Sequence, residues 1–267
     1  MSNRPFLFLT AVLVSLLVQG AWGQINSLNE TFSRHVKSVD ELMKRFNGEE
    51  LYPGLDTADA AVREKNLVLL MDAEMDQAEK NKVPAFISTV LESRASLSYE
   101  SREWMAIATC DMKYKNKTLP VTLTLRTEQV KPRVFRWAVC GADGLTGQFI
   151  DTLHRAISPT EHEIHFMELK SIFHNDKNGI FGYMETSRTV DQLSVLLALI
   201  HAGAAEISTV NNLEFVFFEV PGYVFTIQEK QRRDDNAGWL ISEIKCMGDT
   251  EKQQYFKKLT GHPCIQQ

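Results

Sequence analysis

The sequence lacks most of the short signatures by which enzymes disclose their chemistry. There is no G-x-S-x-G elbow, no P-loop and no calcium-loop pattern, so the local marks of those three chemistries are missing. Ser–His–Asp triads leave no contiguous mark, because their members are dispersed along a chain. Cysteine is scarce: Cys110, Cys140, Cys246 and Cys264 stand far apart, and no two have the C-x-x-C spacing. That spacing carries zinc knuckles and thioredoxin-type sites, so neither is expected. Basic charge is not in excess, with 29 Lys and Arg against 34 Asp and Glu. A nucleic-acid partner would favour a basic face and is not expected. Beyond residue 23 there is no long apolar run, and a spanning helix needs about 20 such residues.

What is present begins with the N-terminus, "MSNRPFLFLTAVLVSLLVQGAWGQ". Arg4 supplies a short positive region and Phe6–Val18 a short apolar run. Ala21-Trp22-Gly23 then places small residues around a cleavage point. These are the parts of a secretory signal peptide, with cleavage expected before Gln24. Removing residues 1–23 deletes Arg4 and no acid, so the mature chain is one charge more acidic than the full chain's −5. Export brings an oxidising compartment, where the four cysteines have three ways to pair. Cys110–Cys140 with Cys246–Cys264 respects the domain order. Free buried thiols are equally consistent with a chain large enough to fold without staples.

Apolar residues at three- and four-residue steps predict a helix over 28–47, with Phe32, Val36, Val39, Met43 and Phe46 on one stripe. A second is expected from Asp56 or Thr57 to about Asp76, and a third from Pro84 through Leu91. The period then becomes two. "EWMAIATCDMKY", "TLPVTLTLRTEQV" and "RVFRWAVC" read as an antiparallel meander with turns at Lys115-Asn116 and Lys131-Pro132. Further helices are expected from Asp143 or Gly144 to about Ala156, from Ser158 onward, and after the capping box at Thr189. Three more strands and a short helix from Thr250 to Leu259 close the chain. The recurring order of helices then strands predicts α+β architecture with two similar halves, 24–142 and 143–267. Each half would pack helices on a curved antiparallel meander.

This order resembles the NTF2-like (cystatin-related) α+β superfamily. The leader and the segments "SVDELMKRFNGEE" (Ser38–Glu50) and "ISPTEHEIHFMEL" (Ile157–Leu169) look like those of uncharacterised exported bacterial proteins. The resemblance covers most of the mature chain, and it implies a conical sheet wrapped by helices around a pocket. No catalytic pair of the superfamily is matched residue by residue here.

The sharpest question about chemistry lies in the second of those segments, where histidines stand among glutamates. His162 and His165 stand one residue short of the H-E-x-x-H spacing that converges two histidines on one zinc ion. The same letters suit a helix start: Ser158 as N-cap, Pro159 at the first helical position, and Glu161 reaching back as the capping-box acid. Glu161, His162 and His165 are nonetheless the acid–base candidates. Phe166, Met167 and Trp137 are the candidate ligand contacts, although such residues more often serve as core. Gly141, Gly144 and Gly147 follow a strand, but their spacing is not a dinucleotide fingerprint.

The resulting expectation is an exported protein, periplasmic or extracellular. It would be a non-enzymatic ligand-binding or protein-interaction module, with a pocket in the cone or between the halves. Its partner would be a small ligand, glycan or peptide, with no metal or cofactor and no membrane span, and the chain could pair as a homodimer. The alternative is a pocket hydrolase or isomerase using a His–carboxylate pair. N-terminal sequencing of the exported protein should begin at Gln24. A mature chain beginning at Met1 would remove the export reading.

Overall fold

The computed structural model describes residues 34–145 and 191–260. It shows an α+β protein with antiparallel strands. The elements run α1 (Val39–Asn47), α2 (Val62–Leu69), α3 (Gln77–Lys80), α4 (Val83–Ser93), β1 (Trp104–Tyr114), β2 (Lys117–Lys131) and β3 (Val134–Asp143). They continue with α5 (Gln192–His201), β4 (Ala205–Phe217), β5 (Tyr223–Lys230), β6 (Gly238–Cys246) and α6 (Asp249–Thr260). The chain groups into two compact units, each discontinuous in sequence. Among the described residues, the first comprises 34–98 and 218–246; the second comprises 99–145, 191–217 and 247–260.

In the first unit, α1 begins at Val39, inside the expected span 28–47, of which residues 28–33 lie outside the described residues. Ser38 caps it by accepting from the Glu41 backbone N–H at 3.1 Å. Gly48 ends it in the left-handed conformation, as a C-terminal glycine does. Val36, expected on the helical stripe, instead makes a strand-type bridge to Gly238: its N–H donates to Ala237 and its carbonyl accepts from Trp239 at 2.8 Å. The second expected helix is similarly cut short, ending at Leu69 and not at Asp76. The backbone of Leu70–Asp72 is drawn into pairing with β6, where Ile241 N–H donates to Leu70 at 2.8 Å and Asp72 N–H donates to Ile241 at 2.9 Å. Helical periodicity was satisfied through residue 70, but a β6 edge offered the same backbone groups a partner. Asp76 then caps the short α3.

The core of this unit lies on one face of the β5–β6 hairpin. Phe225 stacks on Phe46 of α1 at 5.6 Å and meets the edge of Phe86 of α4 at 5.4 Å. Leu42, Leu67, Leu70, Val90, Ile227, Ile241 and Ile244 are buried as well. Asn66 is wholly buried yet fully matched. Its amide donates to the Arg45 and Glu50 carbonyls at 2.7 and 3.0 Å, and its oxygen accepts from Tyr52 N–H at 2.9 Å. That one side chain pins the loop after α1.

The second unit is built on strands in the order β3-β2-β1-β4. The expected meander is present with its turns at Lys115 and Arg133, both in the left-handed region. β2 and β3 run longer than the apolar pattern indicates, and Asp143, expected to open a helix, is the last residue of β3. Pairing of Ala106 with Leu125 and Phe215, and of Cys110 with Val121 and Val210, places these residues on one sheet face. At one end of that face α5 inserts Leu196 among Met112, Leu119, Val121, Leu145 and Ala205. The opposite face carries Met105, Thr124, Arg126 and Ala138, and α6 packs there through Phe256.

Gly238 sets a sharp stability test for the first unit. It has φ +87°, and a Cβ there would lie 2.1 Å from the Val36 carbonyl oxygen. Gly238→Ala should destabilise the fold by roughly 2–4 kcal/mol in chemical denaturation, combining backbone strain with forced separation of the bridge. A loss under about 0.5 kcal/mol, the range of an ordinary surface change, would contradict the close approach.

Candidate functional site

Glu161, His162, His165, Phe166 and Met167 lie outside the described residues, as does Cys264. Of the site residues read from sequence, Trp137 is described. It sits on β3, 39% exposed, with its ring 4.8 Å from Trp104 and 5.8 Å from Phe215. Trp104 is the hub of this aromatic cluster, stacked on Phe217 at 5.5 Å and edge-on to Tyr99 at 5.1 Å. Its indole Nε1–H is buried and has no partner among the described residues.

The second unit also carries a groove of about 470 Å³, lined by Arg102, Arg126, Thr127, Glu128, Ala138, Val139 and Cys140. The register explains why it is there. Thr127 faces Trp137, and Arg126 faces Ala138 across the β2–β3 ladder. A small side chain opposite a long one leaves open space. The ladder then slips between Thr124 and Leu125, so that Cys140 is the extra residue of a β-bulge. The bulge turns the Cys140 thiol toward the Thr124 carbonyl, 3.4 Å away.

Arg126 dominates the groove's chemistry. Its guanidinium lies over the Phe256 ring at 4.8 Å, a cation–π contact that fixes the plane. Its Nη2 reaches the Arg102 carbonyl only at 3.5 Å, and its Nε is buried with no partner among the described residues. The nearest acid in the groove does not answer it. Glu128 Oε2 accepts from Arg136 Nε and Nη2 at 3.0 and 2.8 Å. Thr127 is likewise engaged, donating to the Ser101 carbonyl at 3.1 Å. Burial pushes the Cys140 thiol above the usual thiol range, and the Arg126 charge offsets this only in part. Cys140 is therefore held as the thiol, the opposite of the activated thiolate a nucleophilic site needs. Cys110, Cys140 and Cys246 are free thiols, so the Cys110–Cys140 pairing is not formed.

The first unit has a second cavity, about 340 Å³, lined by Asp72, Glu74, Asp76, Glu79, Lys230 and Glu243 among others. Its carboxylates are already occupied. Asp72, 4% exposed, pairs with Arg232 at 2.7 Å and Lys230 at 3.2 Å and accepts from Glu74 N–H at 2.9 Å. Glu79 pairs with Lys82 and accepts from Ile244 N–H at 2.7 Å, while Asp76 caps α3. No group of His, Cys, Asp or Glu among the described residues is arranged to hold a metal ion. This is a structural ion network.

Sequence reasoning passed over Arg126, Arg102 and Cys140. The faint signal was Ala138, a small residue between Trp137 and Val139 on a strand whose neighbour carries an arginine at the facing position. No helix among the described residues is long and apolar enough to cross a membrane. Compared with known proteins, the chain matches no family model, no curated protein and no solved structure.

The Asp72 network has a pH signature. Burial opposes ionisation of Asp72, but the Glu74 N–H and the cations of Arg232 and Lys230 outweigh it and hold its carboxyl below the usual range. A depressed carboxyl pKa stabilises the fold above its unfolded value, about 3.9, and that stability is lost as pH falls through the folded value. Asp72→Asn should therefore cost roughly 3 kcal/mol near pH 7, and the gap from wild type should close below about pH 4. A gap that stays constant from pH 7 to pH 3 would refute the assignment.

Proposed function

We propose that this is an exported binding protein that takes a small molecule into the groove of the second unit without turning it over. The observation that carries this reading is the buried Nε of Arg126, without a hydrogen-bond partner among the described residues, on a guanidinium fixed over Phe256 beside the groove. Small-molecule sites combine a few placed polar groups with apolar walls, in cavities of about 300–1,000 Å³. Ala138 and Val139 supply the apolar wall and Arg126 the polar group. The one thiol in the groove is pushed away from reactivity, which favours binding over nucleophilic chemistry. Export rests on the leader at residues 1–23. The NTF2-like frame and the duplication of halves belong to the same proposal. They are supported by the recurring order, α1–α4 before β1–β3 and α5 before β4–β6.

The test is ligand-observed NMR of the full chain against a defined panel of small carboxylates, sugars and amines, repeated on Ala138→Trp. The large indole should fill the groove and abolish binding while leaving the melting temperature within a few degrees of wild type. Binding that survives in Ala138→Trp, or no binding by the wild type, would overturn the groove as the site. Conversion of a panel member over time, lost in Ala138→Trp, would replace the binding reading with the pocket-enzyme one.

A further inference from the structure

We infer that the groove's ligand is an apolar-bodied monocarboxylate, received by the guanidinium of Arg126. This rests on the groove being the binding site. Arg126 leaves part of its donor fork unused among the described residues. A guanidinium presents five N–H donors in a planar fork that matches the two oxygens of a carboxylate. Here Nε makes no hydrogen bond among the described residues, and Nη2 makes one at 3.5 Å, the outer limit of such a bond. Buried donors are ordinarily matched, and an exception calls for an unseen partner. The Phe256 ring beneath the guanidinium, at 4.8 Å, holds the fork before any ligand arrives, which lowers the ordering cost of binding.

The surroundings narrow the partner to a single negative charge. Glu128 lines the same groove, so a doubly charged phosphate would meet a like charge there. Glu128 does not itself neutralise Arg126, because its Oε2 is drawn to Arg136 from two nitrogens. Thr127 has its hydroxyl committed to the Ser101 carbonyl and offers no second donor. Phosphate sites gather several donors around one anion; here the Arg126 fork is held over a ring, and Arg102, the groove's other cation, is exposed. Ala138 and Val139 give the body of the ligand an apolar wall. The arrangement suits a carboxylate attached to a ring or short chain.

The experiment uses benzoate and its neutral isostere benzamide on the full chain, with dissociation constants read by NMR titration. A second readout is the rate at which iodoacetamide labels Cys140, resolved from exposed Cys246 by peptide mass spectrometry. Benzoate should bind at least about tenfold tighter than benzamide, as a charge-assisted fork requires. It should slow labelling of Cys140 and leave Cys246 unchanged. Arg126→Met should bring benzoate down to the level of benzamide. Arg126→Lys should lose most of the preference, since a point charge does not replace the fork. Equal binding of benzoate and benzamide by the wild type would overturn the carboxylate assignment and leave the groove standing as a site. Inorganic phosphate displacing benzoate at equal concentration would overturn it too, in favour of a general anion site. If neither ring compound binds wild type better than Ala138→Trp, this inference falls, and the groove reading falls with it only when the sugars and amines of the panel also fail to bind. Should Arg126→Met not fold, the wild-type comparison and Arg126→Lys decide the matter.

Discussion

The first unit depends on β6 finding backbone partners far away in sequence. Val36 bridges to Gly238, and Leu70–Asp72 bridge to Ile241, over separations of more than 160 residues. The pairing of Leu70–Asp72 follows directly on the end of α2, and the Val36 bridge lies three residues before α1, so the contacts that close the unit flank both helices. Side chains reinforce both crossings. Asn236 donates to the Met71 carbonyl at 2.9 Å and accepts from Ala73 N–H at 2.8 Å, and Arg232 reaches Asp72 from the same loop. Such non-local pairing is entropically slow to form and must be favoured by packing afterwards. Phe46, Phe86 and Phe225 supply that packing directly behind the hairpin.

How much of this the sequence disclosed follows from what period-based reading can see. The meander β1–β3 was legible because Trp104, Ala106, Ala108, Cys110 and Met112 recur at every second position and short polar turns separate the strands. The end of α1 was legible in Asn47-Gly48, whereas its cap at Ser38 was passed over inside the expected span 28–47. The other helix limits were not, because Val36 and Leu70 satisfy a helical stripe and lose to a partner that only the fold brings near. For the same reason the linear rhythm could not group β5 and β6 with residues 34–98, or β4 with β1. Grouping is a property of pairing, not of order.

The groove's lining was not legible in the sequence. Trp137, which belongs to the aromatic cluster around Trp104 and does not line the groove, stood out as a large aromatic on a strand. Arg126 and Cys140 did not, because what makes them notable is the slip between Thr124 and Leu125. One extra residue in a ladder leaves no mark in composition or period, yet it re-aims a thiol and opens space opposite Ala138. The histidine cluster drew attention for the converse reason: its residue types are conspicuous wherever they occur.

An unpaired arginine nitrogen is not in itself a site, and the first unit shows why. Arg63 also has a buried Nε without a partner among the described residues, and its Nη2 reaches the Ala95 carbonyl at 3.4 Å. Arg126 differs in its setting. Its guanidinium plane is set by an aromatic ring, it borders a cavity large enough for a ligand, and the acid that might have neutralised it is held by Arg136. The contrast with Asp72 is sharper still. There a buried charge meets two cations and a backbone N–H, and the resulting network leaves little for a ligand to add. A charge whose partners are all supplied by the fold stabilises the fold. A charge held rigid beside open space, with its own neighbours engaged elsewhere, gains most from a partner that the chain does not contain.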